Sequence, residues 1–155
     1  MDYIEYKILY ALQNNARLSN IELAKEVGLT PSPCLRRVKN LEQKGVISGY
    51  SALINQNKVG LSVNVFVQVS LERQTEDHLE VFEEQIKEYS EVMEAYLMTG
   101  EADYLLRIVV KDLEKYESFL KENLTRIPGV SSIRSYFSLK QVIKKYNLPL
   151  ENPKT

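Results

Sequence analysis

Two helix starts stand close together in this chain, and the space between them admits little except a sharp turn. Ser19-Asn-Ile-Glu22 is a capping box: the serine hydroxyl takes the N–H three residues on, and the glutamate reaches back. Ile21, Leu23, Ala24 and Val27 follow as the apolar positions of a helix, and Gly28-Leu-Thr30 makes the turn out of it. Thr30-Pro31 opens the next helix, with threonine as cap and proline at the first helical position, where its missing N–H is no loss. Gly45 ends it. Leu35, Val38 and Leu41, with Cys34, form an apolar face at helical spacing, and Ser32, Arg36, Arg37, Lys39, Asn40, Gln43 and Lys44 lie elsewhere on the cylinder. Four cations against the single acid Glu42 give residues 30–45 a charge of +3. Taken alone, such a helix fits a solvated surface as well as a reader of DNA.

The arrangement decides between the two. A preceding helix over residues 2–15, with Asp2 and Glu5 at capping-box spacing and Ile4, Ile8, Leu9 and Leu12 as its stripe, completes a helix-turn-helix pattern. The charge distribution agrees. Overall net charge is -1, yet residues 1–50 hold seven Lys/Arg against five Asp/Glu, and residues 51–155 hold thirteen against sixteen. Contact with a polyanion therefore falls to the N-terminal third. Residues 46–54 read as a short extended piece.

From residue 62 the pattern changes. Val63, Val65, Val67, Val69 and Leu71 alternate with Asn64, Phe66, Gln68 and Ser70, the mark of a half-buried strand. A helix over 75–89 follows, with Leu79, Phe82 and Ile86 facing inward. Strands over 92–99 and 104–111 come next, then a helix over 112–127 with Leu113, Tyr116, Phe119, Leu120 and Leu124 as its stripe, and a strand over 130–140. The order β-α-β-β-α-β is the split βαβ of a ferredoxin-like domain. The fold class is thus α+β: a winged helix-turn-helix domain over 1–50, a linker over 51–61, a ferredoxin-like domain over 62–146 and a polar tail over 147–155. Both helices on one face leave the other face of the sheet bare. Phe66 and Gln68 line it, and a second copy is its simplest cover, so a homodimer is the expectation.

These residues resemble a known family. The run from Ser19 to Tyr50 is similar to the DNA-binding domain of the Lrp/AsnC (feast/famine) transcriptional regulators, and Pro31-Ser-Pro-Cys34 to its leucine-responsive branch. Met98-Thr-Gly-Glu-Ala-Asp-Tyr-Leu-Leu106 and Ile127-Pro-Gly-Val130 resemble the C-terminal ligand-binding (RAM) domain of that family. The resemblance implies a regulator of transcription that responds to leucine or another small amino acid. It also implies dimerisation through the sheets, assembly commonly to octamers, and an effector held between neighbouring dimers. The loop over 99–104 and the last strand around Tyr136 would hold it.

On that reading the DNA-binding residues are Ser32, Pro33, Arg36, Arg37, Lys39, Asn40 and Lys44. The cations neutralise phosphates, Ser32 can donate or accept, an arginine takes guanine bidentately, and Asn40 suits adenine. Which arginine reaches a base stays open. Arg36 stands where leucine-responsive relatives often carry Glu, which implies a different base preference. The effector residues are Met98, Thr99, Gly100, Glu101, Asp103, Tyr104, Tyr136 and Ser138. Without the resemblance, residues 100–104 read as a hairpin loop. With it, a glycine-containing turn supplies N–H groups for a ligand carboxylate, and Asp103 a carboxylate for its ammonium. Leu97, Met98, Tyr136 and Ser138 shape the side-chain end or pack the sheet, and Glu101 departs from the Asp often found there.

Other chemistries find no support. Cys34 is the lone cysteine and fits a small core residue. His78, the lone histidine, sits beside Asp77 and Glu80 as a solvated group. Glu80, Glu83, Glu84 and Glu88 form a solvated helix face. Neither a nucleotide loop nor a metal-ligand cluster is present, so no enzyme and no cofactor are expected. The apolar runs are too short to span a bilayer, no signal-peptide pattern opens the chain, and a cytoplasmic protein with no membrane partner is the expectation.

Overall fold

The computed structural model describes residues 1–150. It divides the chain into two compact units: Met1–Leu53 together with the chain from Val142 on, and Ile54–Gln141.

The first unit holds three helices, α1 (Tyr3–Asn14), α2 (Asn20–Val27) and α3 (Pro31–Gln43). Both capping boxes form, Asp2 with Glu5 and Ser19 with Glu22. Gly28, at φ 75°, turns the chain so that the Leu29 N–H bonds the Ala24 carbonyl at 2.8 Å. Thr30 occupies the cap of α3, but its side chain makes no capping bond. Pro33, at the third helical position, removes one of the two donors such a cap would serve, and the Cys34 N–H makes the first turn's bond to the Thr30 carbonyl at 3.2 Å. Gly45, at φ 68°, closes the far end, where the Val46 N–H bonds the Leu41 carbonyl at 2.9 Å.

Ile8, Ala11, Leu23, Ala24, Val27, Cys34 and Leu41 make the core of this unit. Two expected members are elsewhere. Leu35 is 43% exposed and Ile21 is 70% exposed. The stripe that α3 buries is Cys34, Val38 and Leu41, at i, i+4 and i+7, which turns Leu35 some ~100° away from it. Residues 46–54 contain no regular strand, so the wing of the motif is not a paired hairpin among the described residues; Ile47 folds back onto the core. The C-terminal boundary also moves. Residues 142–146 group with this unit rather than with the sheet, and Asn147 and Leu148 of the polar tail bond to Asn14 and Gln13 of α1. Residues 151–155 of that tail lie outside the described residues.

The second unit is the expected ferredoxin-like sheet. Strands β1 (Val63–Leu71), β2 (Val92–Leu97), β3 (Tyr104–Val110) and β4 (Val130–Phe137) pair antiparallel in the order β2-β3-β1-β4. Helices α4 (Glu76–Lys87) and α5 (Leu113–Glu122) supply Phe82, Ile86, Tyr116 and Phe119 to the core. They pack with Val65, Val67, Val69 and Leu71 of β1, as the alternation requires. Leu113 stays exposed at the first turn of α5. That helix stops five residues earlier than its apolar spacing suggests. The Thr125 hydroxyl donates to the Leu120 and Lys121 carbonyls and Arg126 Nε to Lys121, replacing the next helical turn with a 3-10 turn over Leu124–Arg126. Phe66, Gln68, Leu105, Arg107, Arg134 and Tyr136 stand on the other face of the sheet, as their register with buried neighbours dictates.

Candidate DNA-contacting surface and effector loop

The outer side of α3 carries Ser32, Leu35, Arg36, Lys39, Asn40 and Gln43, which line a shallow groove together with Arg37 and with Glu5 of α1. Among the described residues Arg36 and Lys39 pair with no carboxylate. Arg37 does: its guanidinium donates to the Asp2 carboxylate, the same group that caps α1. That bond holds the Asp2 carboxyl below its usual range and raises Arg37 above its own. Arg37 therefore ties α3 to α1, and its charge is already matched. Glu42, the single acid of the helix, accepts from the Tyr50 hydroxyl at 2.9 Å. Burial, and then the Glu42 carboxylate, push that phenol up to about 12. Lys44 stands exposed at the C-terminal cap, where a cation meets the negative end of the helix dipole. Pro33 is half-buried and shapes the first turn. Of the side chains assigned to this surface from the sequence, Arg37 is thus occupied by Asp2, and Leu35, assigned to the core, stands exposed beside the others.

In the second unit the loop between β2 and β3 is built around Asp103, which is only 7% exposed. Its Oδ2 accepts the Leu71 N–H at 2.7 Å, and Oδ1 accepts from the Gln74 side-chain amide. The Leu71 N–H lies at the register shift between Ser70 and Leu71, so the carboxylate serves where the strand ladder is interrupted. The Asp103 N–H reaches the Val69 carbonyl at 3.0 Å, and the Met98 N–H reaches the Asp103 carbonyl at 2.8 Å. Both carboxylate oxygens are engaged inside the chain. Asp103 is placed as the clamp of the loop, not as an open acceptor for an ammonium group.

Thr99, Gly100 and Glu101 are exposed beside Met98, and among the described residues the N–H groups of Gly100, Glu101 and Ala102 find no acceptor. Gly100 sits at φ 129°, a region that side-chain-bearing residues rarely enter. Glu101 lies 3.5 Å from Arg134 of β4. Tyr104 points the opposite way, into the core: its ring stands 4.6 Å from that of Phe82, and its hydroxyl donates to Glu83 at 2.8 Å. Burial and that carboxylate push its phenol upward. Tyr136 is on the bare face, opposite Phe66, with its hydroxyl 3.3 Å from Gln68. Ser138 lies beyond β4, where its N–H bonds the Asn64 carbonyl. Asn64 is five strand steps from Val69, roughly 17 Å. Within one chain, residues 98–103 and Arg134 come together, Tyr136 stands two residues further along β4, and Ser138 is at the other end of the sheet. His78 is half-buried, with Nδ1 2.6 Å from the Thr75 hydroxyl, rather than fully solvated. The bond of Asp2 to Arg37, and the roles of Gln74, Tyr50 and Arg134, depend on partners outside the local spacing that the sequence displays.

The comparisons with known proteins follow the same division. Residues 1–48 match the winged helix-turn-helix DNA-binding family, and residues 64–148 match the Lrp/AsnC ligand binding domain. A Bkd operon transcriptional regulator of Pseudomonas aeruginosa is 49% identical over 150 residues, 97% of this chain and 98% of that protein. The leucine-responsive regulatory protein of Escherichia coli is 40% identical over 151 residues, 97% of this chain and 92% of its own. Among solved structures, a transcriptional regulator from Neisseria meningitidis in complex with L-Met superposes with a TM-score of 0.91 at 38% identity, covering 97% of each chain. With a DNA-binding module and a ligand-binding module matched in order along nearly its whole length, this chain belongs to the Lrp/AsnC family of DNA-binding transcriptional regulators, and it is a regulator rather than an enzyme.

Proposed function

We propose that this regulator inserts α3 into the major groove of duplex DNA and that a small neutral amino acid, bound at the loop over 99–103, modulates that binding. The observation supporting the DNA contacts is the outward face of α3, with Arg36, Lys39 and Asn40 unobstructed and Leu35 among them. Arg36 and Asn40 serve as base readers, Lys39 and Lys44 as phosphate contacts, and Ser32 and Pro33 set the approach of the first turn. Arg37 acts through Asp2 as a positioning residue.

For the effector, the unbonded N–H groups of Gly100, Glu101 and Ala102 suit a carboxylate, and Glu101, exposed and held only by a 3.5 Å contact to Arg134, suits an ammonium group better than Asp103, both of whose oxygens are engaged. Thr99 and Met98 flank the side-chain end. A leucine-responsive relative and a neighbour solved with L-Met favour an uncharged aliphatic or thioether side chain. Phe66, Tyr96 and Tyr136 leave the bare sheet face apolar enough to favour a two-fold homodimer, and Tyr136 and Ser138 then belong to contacts between copies, in assemblies up to an octamer. No helix among the described residues is long and apolar enough to cross a membrane, and the compartment proposed is the cytoplasm, where the DNA is.

A thermal-shift screen of the protein against the twenty amino acids tests the effector reading. Saturation at a hundredfold excess over Kd stabilises by about 2.7 kcal/mol, several degrees in a domain of this size. The expected result is one uncharged amino acid that raises Tm and loses its effect in Glu101→Ala. No response to any amino acid at millimolar concentration contradicts it.

A further inference from the structure

The chain leaves its DNA-binding unit after Leu53 and returns to it at Val142. The returning segment is fastened to the end of α1. The Gln13 side-chain amide donates to the Leu148 carbonyl at 3.1 Å, and its oxygen accepts the Leu148 N–H at 3.1 Å. The Asn147 side chain donates to Asn14 at 2.9 Å. Gln13 thus pairs with the backbone of Leu148 through both ends of its amide, a contact that fixes where the segment lies and not merely that it lies nearby.

The segment so held is basic. Residues 142–150 contain Lys144 and Lys145 and no acid. Both lysines are exposed, and among the described residues neither pairs with a carboxylate. Residues 1–53 carry a net charge of +2, and Arg37 is neutralised locally by Asp2. Two further lysines double the net charge of the unit. Three exposed hydrogen bonds fall short of the conformational entropy lost in ordering nine residues. The side chains of Val142, Ile143 and Leu148 are left exposed, so apolar burial adds little. A segment so marginally fastened and so charged gains most from a second binder of opposite charge.

We propose that residues 142–150 form an accessory phosphate-binding arm of the DNA-binding unit, with Lys144 and Lys145 contacting the backbone of duplex DNA outside the helix-turn-helix. The arm is sequence-independent, because lysine offers phosphate a point charge and no fork for a base edge. Its ordering completes on the duplex.

The test is the salt dependence of binding by the full chain to a mixed-sequence duplex of about three helical turns, which reads phosphate contacts alone. For each arm the Lys144→Gln/Lys145→Gln variant flattens the plot of log K against log salt by about 1.8, with on the order of tenfold weaker binding at low salt. Its thermal melt stays unchanged, since both side chains are exposed. Backbone amides over 142–150 gain hydrogen-exchange protection on adding the duplex to the unmodified protein. An unaltered slope in the double variant overturns the proposal. So does a changed sedimentation coefficient with the slope per protomer preserved, which would make the segment a contact between copies.

Discussion

At the scale of single residues, α3 separates into side chains that face outward and side chains that hold the helix in place. Arg36 and Arg37 are adjacent in sequence and opposite in role: the first is exposed and unpaired among the described residues, the second is bonded to Asp2. Arg36→Ala is expected to weaken binding to a preferred site by about 1–3 kcal/mol, tenfold to a hundredfold or more, and to relax base preference at one position, as competition with single-base-pair variants measures. Arg37→Ala is expected to lower Tm with much smaller loss of base preference. The Asp2 partner gives this contact a pH signature. Its folded pKa lies below the ordinary value of 3.8, so its contribution is present above that value and is lost as pH falls through the lowered folded pKa. Asp2→Asn therefore flattens the acid end of the stability curve, followed by helical circular dichroism, and leaves the curve above pH 5 nearly parallel to that of the unmodified protein. The sequence named both arginines as DNA contacts and left open which reaches a base, because a helical wheel places both on the cylinder without naming their partners.

At the scale of elements, legibility follows how local the determining interaction is. The capping boxes at Asp2 and Ser19 and the stop at Gly28 operate within four residues, and they form as their spacing requires. The alternation of β1 gave the buried face of the sheet for the same reason. What spacing misassigned were side chains one helical step from the stripe, Leu35 and Ile21, and ends controlled by competing bonds, such as the Thr125 hydroxyl that halts α5. The effector loop is the clearest case. Its sequence advertises Asp103 as a ligand group, whereas Leu71 and Gln74, about thirty residues earlier, occupy both carboxylate oxygens. Asp103→Ala leaves the Leu71 N–H without its acceptor, at about 1–3 kcal/mol, and is expected to lower stability in the absence of any ligand. Gln74→Ala removes the more exposed bond and should cost less. Chemical denaturation of the two variants ranks them; equal stability of Asp103→Ala and the unmodified protein contradicts the clamp.

At the scale of the whole molecule, a chain with net charge -1 binds a polyanion because its charge is segregated along the sequence, and the proposed homodimer would cover the sheet face that exposes Phe66, Tyr96 and Tyr136. Phe66→Asp, at the centre of that face, is expected to dissociate the homodimer in analytical ultracentrifugation and to weaken binding to paired half-sites more than to single ones. Composition alone hinted at none of this. It became visible through the order of the elements and through the segment after Val142, whose few polar bonds to α1 carry no periodic signal. The central claim is that the outward face of α3 reads sequence from a two-fold assembly. Selection of bound duplexes from a random pool at physiological salt tests it most directly. The expected result is enrichment of two inverted half-sites, centred about one helical turn or a multiple of it apart, with one base position relaxed in Arg36→Ala. An unenriched pool, or an enriched motif that Arg36→Ala leaves untouched, would contradict it.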